Sequence, residues 1–558
     1  MATFNLVEQP WIPITTYSRA SPELVSLSTI FAQAHEIREI IDPSPLNVIA
    51  LTRLLLAILH RAYDGPKTTA EWGTLWNRNA FDMGPVTHYL DHWKTRFDLF
   101  DANHPFYQTP GLRNLVPRAG SILQIAFDCA SERNASLLFD HSPSTRTLTP
   151  AIAARALLAT QAFSASGMLT CESTATKFAR ASTLAGRAVC AFHGVNLFQT
   201  LLLNLQHYHH AREYPFPVHT QDMPAWERDT YTKPEDRFPT GYTDLLTWQS
   251  RRVEIIPNLT DEQELVVSQA IVMKGESIAS NFHVPSREPM VAYYTNESKK
   301  DGDPWVPVSL REDRLIWRDS YALMSSIEDR FMKVPLLQWL DRLYDDGYLD
   351  PDIPLPMDIF GSITDQANYV DWRHERLPLS IAYLQEKDMI DQVHTALEIA
   401  ERGERLLKPG FIQFKQKNIP SPMYELCELI LSATSERKIK IDAIKNFAGS
   451  FGCIQQYWAN LDSAFYKFLA NLPADITYDE GVKKYGKQSV QQWQEQVTES
   501  CRTVFLKAIN NLGTSARSLR AGAMAERSFR FLIKEYVQQS SLEEGTEESY
   551  GHPVEPIH

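Results

Sequence analysis

The chain has 558 residues, 44% of them hydrophobic and 22% charged, with a formal net charge of −13. That length exceeds one ordinary core and predicts two or more domains; the composition excludes a disordered chain. The acidic total excludes a protein that is basic over its whole surface, leaving phosphate contact to local basic loops. No run reaches the roughly 18 apolar residues that a membrane span needs, and the first six residues lack a secretory pattern. A cytoplasmic globular protein is therefore expected. The six cysteines form no Cys-x-x-Cys pair, which predicts buried free thiols instead of disulfides or structural zinc.

Phe4-Asn5-Leu6-Val7 and Trp11-Ile12-Pro13-Ile14 read as short strands interrupted by Pro10 and Pro13. Leu46, Ile49, Leu54, Ala57, Ile58 and Leu59 recur at helical spacing behind Pro43-Ser44-Pro45, predicting a helix to residue 63. A loop-rich stretch follows at 103–149, then an Ala/Leu-rich helix over 150–165 that starts at Pro150. Residues 197–208 predict a buried helix. From 213 to 330, Arg252-Val253-Glu254-Ile255, Leu265-Val266-Val267 and residues 290–294 suggest strands between proline-rich connections.

Beyond about residue 380 the pattern becomes helical. Met389, Ile390, Val393, Ala396, Leu397 and Ala400 form an apolar stripe that ends near Lys408-Pro409-Gly410. Further helices are expected over 422–433, 439–470, 488–511 and 517–537, most simply as an antiparallel four-helix bundle. The expected fold class is α+β: a mixed, largely helical N-terminal domain with short strands over 1–380, then a helical bundle over 381–538. Residues 539–558 contain five glutamates and no lysine or arginine, and predict a disordered acidic tail. Residues 386–538 hold 21 basic and 18 acidic side chains. Their positive excess lies in the last two helices, at Arg502, Lys507, Arg517, Arg520, Arg527, Arg530 and Lys534. That stripe is either phosphate-facing or simply solvated.

No catalytic pattern emerges. There is no G-x-x-x-x-G-K-S/T loop, no G-x-G-x-x-G and no G-x-S-x-G. His88 and His92 have the spacing of two ligands on one helix face but lack a following glutamate; His207, His209 and His210 follow a buried helix. Both groups read as structural. No catalytic residue, metal site or cofactor is expected.

Residues 361–379 are unusual. Gly361 reads as a turn, 364–367 are Thr-Asp-Gln-Ala, Val370 and Trp372 can anchor them, and Arg373, His374 and Arg376 follow. A glutamine at a rigid loop tip can hydrogen-bond a base edge and stack on a base pair, while flanking arginines hold phosphates. A plain surface loop followed by a strand fits the same residues.

The segment resembles the glutamine wedge of the CasA family, the large subunit of type I-E CRISPR Cascade. Four other stretches resemble the family in the same order: Asn5-Leu6 with Trp11-Ile12-Pro13; Asn103-His104-Pro105-Phe106-Tyr107-Gln108-Thr109; residues 194–205, like G-x-N/D-L-x-x-T-L/V-L-L-N; and Asp303-Pro304-Trp305-Val306-Pro307 with Trp317-Arg318-Asp319. The resemblance implies a non-catalytic subunit that finds the PAM on double-stranded DNA and wedges the duplex open for guide RNA pairing. Gln366 would be the wedge, with Asp365 and Ala367 beside it in the minor groove, whose degenerate pattern gives relaxed specificity. Ser166 and Gly167 match the family's glycine loop, here reduced to one glycine. Lys274 is the candidate for its lysine finger, without the cysteine knuckle of some members. Arg373 and Arg376 are expected on phosphates. Asn134, Leu137 and Phe139 match a loop that touches guide RNA or neighbouring subunits. Implied partners are the guide RNA-containing Cascade subunits, target DNA, small subunits against the bundle and the helicase-nuclease effector, with no membrane. The alternatives are a helical protein-binding scaffold or a soluble hydrolase with an unrecognised site.

Overall fold

The computed structural model describes residues 2–19, 21–116, 118–127, 146–171, 173, 176–208, 221–279, 288–296, 304–326, 330–350, 353–365, 368–432, 440–479 and 482–538. The expectations for Asn134, Leu137, Phe139, Gln366, Ala367 and the acidic residues 539–558 lie outside them. The chain divides into two compact units, Met1–Gln385 and Glu386–His558, and it mixes helices with short strands throughout.

In the first unit, Pro45–Tyr63 forms the central helix. Proline at its first position suits the helix start, and Asp64 ends it in the left-handed region at φ 50°. By length and composition this helix could cross a membrane, but most of it is buried inside the unit. It packs on the helices Met83–Trp93, Pro150–Phe163 and Tyr242–Leu246. Such all-round burial marks a core helix. Even a charged residue at its middle is internal: Arg53 donates to the Glu288 carboxylate at 2.7 and 3.2 Å, with the two side chains 2% and 1% exposed.

The strands differ from expectation in places. Phe4 to Val7 is a turn in which Asn5 makes only an isolated bridge to Asp98, because Asn5 Oδ1 accepts from the Val7 amide and curls the chain. Ile12–Thr16 pairs between Glu23–Val25 and Ile37–Ile40. The helix expected over 197–208 stops at Asn204; the Asn204 amide instead clamps the Phe192 backbone on both sides. Arg251–Leu259 and Leu265–Lys274 form one long antiparallel hairpin, closing with Arg251 opposite Lys274. Of residues 290–294, only the last two belong to a strand, Tyr293–Thr295.

The second unit is mainly helical. Lys387–Leu407, Pro422–Leu431, Ile441–Gly449, Cys453–Asn471, Lys487–Asn511 and Ala516–Leu532 are its α-helices among the described residues. The single helix expected over 439–470 is broken at Gly452, whose φ of +62° a side chain would resist. Trp493 and Tyr457 donate to the carbonyls of Ala396 and Ala400, each at 2.7 Å, tying three helices together. Gly403 leaves room for that packing, since a Cβ there would lie 2.3 Å from the Tyr457 hydroxyl.

The core helix makes the first unit acid-sensitive. His60 is buried, with Nδ1 3.0 Å from the Gly65 carbonyl oxygen, and burial pushes its pKa from 6.5 down to about 4. The contribution of a depressed histidine is fully present above the unfolded pKa and is lost as pH falls towards the folded one. Urea unfolding of His60→Asn should therefore lose less stability than wild type between pH 7.5 and 4.5, by about 2–3 kcal/mol.

Candidate nucleic-acid interface

The segment read as a loop and strand is a long hairpin. Met357–Asp365 pairs with Asn368–Leu377 from Met357 opposite Leu377 to Asp365 opposite Asn368, with a register shift after Ile363. Val189–Phe192 extends the sheet on the other side of the first strand. Gly361 is a mid-strand residue, not a turn. A Cβ there would meet the Arg187 carbonyl oxygen at 2.5 Å, so glycine is required by the close approach of that backbone. Gln366 and Ala367 fall between the paired ends in sequence.

The anchor also differs from expectation. Val370 is 39% exposed, Trp372 is half-buried, and Tyr369 is the residue that goes inside. Its Oη donates to the Phe163 carbonyl at 2.5 Å and accepts from the Ala165 amide at 2.7 Å. Its ring packs on Phe127. Burial pushes the phenol's pKa up, so the donor proton is retained.

Arg251 fixes the same segment from another direction. Its guanidinium donates to the carbonyls of Ser164 and Ala165 at 3.4 and 2.8 Å. Gln161 in turn exchanges two hydrogen bonds with the Arg251 backbone, at 2.8 and 2.9 Å. The chain leaving the Pro150–Phe163 helix is thereby held between a tyrosine and an arginine. Ser166 and Gly167 come next, both half-buried. Nothing lies within 4 Å of a Cβ placed on Gly167, so its backbone has an open side that another molecule could approach.

Gly167–Met168 pairs with Phe178–Ala179, which packs beside the Leu265–Lys274 strand. Lys274 ends that strand, opposite Arg251, and is half-buried. Tyr369 and Arg251 thus bring three sequence-distant candidates into one locality: the hairpin, Ser166 with Gly167, and Lys274. Neither organising residue stands out in the sequence. Arg251 stands beside a second arginine at the head of a charged-apolar alternation and Tyr369 sits in a mostly polar stretch, so neither is singled out by its neighbours.

Arg373 and Arg376, expected on phosphates, are both engaged within the fold. Arg373 donates to the carbonyls of Arg311, Glu312 and Arg314 and pairs with Asp371. Arg376 makes a two-pronged pair with Asp358 at 2.5 and 2.9 Å. His374 donates to the same carboxylate and stacks on Phe360. Burial alone would raise the Asp358 pKa, but hydrogen bonds from His193, His374 and Arg376 hold it well below the carboxylate range. These cations brace the hairpin because the nearest anions and carbonyls belong to the fold itself. His88 and His92 are both exposed. Among the described residues, no group of three or more His, Cys, Asp or Glu stands together as a metal site.

Replacing Tyr369 by Phe leaves the Phe163 carbonyl and Ala165 amide without their partner. Removing one side of a buried hydrogen bond costs about 1–3 kcal/mol. Hydrogen exchange should accelerate at the Ala165 amide in Tyr369→Phe while the strands of the hairpin keep their protection.

The family model for CRISPR-associated protein Cse1 matches residues 5–504. The CasA/Cse1 protein of Thermus thermophilus is 29% identical over 542 residues, which span 95% of this chain and 97% of that one. A crystal structure of Thermus thermophilus CasA superposes with a TM-score of 0.76 at 26% identity, covering 96% of this chain and all of the other. A chain of a CRISPR RNA-guided surveillance complex shares the fold at 20% identity, with a TM-score of 0.71 over 95% of this chain and all of that one.

Proposed function

This chain belongs to the family of CRISPR-associated protein Cse1, and from that membership we propose that it is the large, non-catalytic subunit of a type I-E surveillance complex. In this reading the subunit finds the PAM on double-stranded DNA and starts strand separation, while guide RNA pairing reads the remaining sequence. Gln366 enters the duplex beside the PAM, with Asp365 and Ala367 against the minor groove. Ser166, the open backbone of Gly167 and the cation of Lys274 approach the same groove. Arg373 and Arg376 keep the hairpin stiff enough to act as a wedge, and their guanidinium groups are the segment's candidates for phosphate contact.

The observation that carries this reading is the double hydrogen bond of Tyr369 to residues 163 and 165, which couples the wedge hairpin to the glycine-containing segment. Two elements that must meet one short DNA motif need a fixed separation, and a buried hydroxyl supplies it. Residues 134–139 contact guide RNA or a neighbouring subunit. Lys387–Leu407, Cys453–Asn471, Lys487–Asn511 and Ala516–Leu532 act as a four-helix bundle against the small subunits. The assembled complex, working in the cytoplasm, recruits a helicase-nuclease once the displaced-strand loop has formed.

The test is Gln366→Ala in the assembled complex. Binding to a duplex target with a PAM should weaken about tenfold or more, because the work of unstacking the first base pairs loses its wedge. Binding to the same target with those pairs already mismatched should change little. Equal affinity of wild type and variant for the fully paired target would overturn the wedge role; turnover of any substrate by the purified chain would overturn the non-catalytic assignment.

A further inference from the structure

The Ala516–Leu532 helix has two unlike faces. Ser518, Ala521, Gly522, Ala525, Phe529 and Leu532 are buried. A Cβ on Gly522 would lie 2.7 Å from Ile509, and Phe529 stacks on Phe505 at 4.5 Å. The opposite face carries Arg517, Arg520, Arg527 and Arg530, all exposed, together with exposed Leu519, Met524 and Phe531. Lys534, in the following π turn, is exposed too. Spacings of three and seven residues place Arg517, Arg520 and Arg527 on one side of the helix.

The local acids are already engaged. Glu526 pairs with Arg530 at 2.6 Å, and Glu535 with Lys415 at 3.5 Å. Among the described residues no carboxylate pairs with Arg517, Arg520, Arg527 or Lys534. Four uncompensated cations beside exposed apolar side chains, in a chain of net charge −13, call for an anionic partner that also carries apolar groups.

Such a partner follows directly in the sequence. Residues 539–558 contain Glu543, Glu544, Glu547, Glu548 and Glu555, no lysine or arginine, and Leu542, Tyr550 and Val554 between them. The helix is about 26 Å long at 1.5 Å per residue, and twenty residues can extend to roughly 65 Å. The segment therefore reaches the whole basic face, and its covalent attachment gives it a millimolar-scale effective concentration there. We propose that residues 539–558 fold back onto the basic outer face of the Ala516–Leu532 helix and compete there with nucleic acid. Exposed ion pairs are individually weak, so the clamp is reversible and yields to a longer polyanion. This helix and the segment lie beyond residue 504, where the family match ends, and the proposal does not depend on the wedge assigned to Gln366.

The experiment uses the full chain with a dye on Ser549→Cys, in a background where Cys129 and Cys171 are replaced by Ser. Dye anisotropy at low salt should be high. It should fall with added salt, with Glu543, Glu544, Glu547 and Glu548 all changed to Gln, and with the pair Arg520→Glu and Arg527→Glu. All the changed glutamates lie in the segment itself, and both arginines are exposed, so circular dichroism should stay that of wild type. Titration with a poly-dT strand should release the dye, and the four-Gln variant should bind that strand about fivefold more tightly than wild type. A dye equally mobile in every variant would overturn the proposal. So would a restricted dye indifferent to the arginine changes, which would place the segment elsewhere. A dye that poly-dT does not release would overturn the competition with nucleic acid.

Discussion

The Tyr369 hydroxyl joins backbone groups that lie 206 and 204 residues earlier in the chain. One partner, Phe163, is the last residue of a helix and the other, Ala165, lies just beyond it, where helical hydrogen bonding has run out. A buried carbonyl and a buried amide need partners, and one phenol supplies both because it donates and accepts at the same oxygen. Arg251 completes the arrangement by taking the neighbouring carbonyls. The position of the hairpin relative to residues 163–167 is thus fixed by hydrogen bonds with definite directions, where apolar packing alone would tolerate sliding.

Charge plays a similar part deeper in the first unit. Arg53 with Glu288, Arg155 with Asp42, and Arg61 with Glu227 are inward-facing pairs that link the central helix and its neighbours to loop residues far along the chain. A buried pair adds modest net stability but costs about 3–5 kcal/mol when one partner is removed. Such pairs accept only one arrangement of the loops they hold. That suits a unit whose sheets are small and whose connections are long.

Legibility from sequence follows periodicity. The Pro45 helix, the Pro150 helix and the stripe from Met389 to Ala400 are readable because each repeats an apolar face along one continuous stretch. The 357–377 hairpin is not, although it holds the candidate wedge. Ser362 is a buried polar residue and Gly361 fills a place dictated by a distant carbonyl, so the alternation expected of a strand is broken. The arginines near the wedge read differently in sequence and structure for a related reason: a cation's partner is a matter of tertiary neighbours, and Asp358 and the carbonyls of 311–314 are invisible from the local sequence. Family resemblance locates the segment, and Tyr369 and Arg251 then explain how it is held.

Asp358, Arg376 and His374 brace one end of the hairpin and Tyr369 its other end, all through residues outside 364–367. The scaffold's shape and the chemistry it presents are therefore encoded by separate positions. In the proposed reading, substitutions at Thr364 to Ala367 alter a recognition preference, whereas changes at Tyr369, Gly361 or Asp358 disturb the frame whatever is being recognised. A protein with the proposed recognition role gains from this partition, because variants of Thr364 to Ala367 can be sampled on an inherited support.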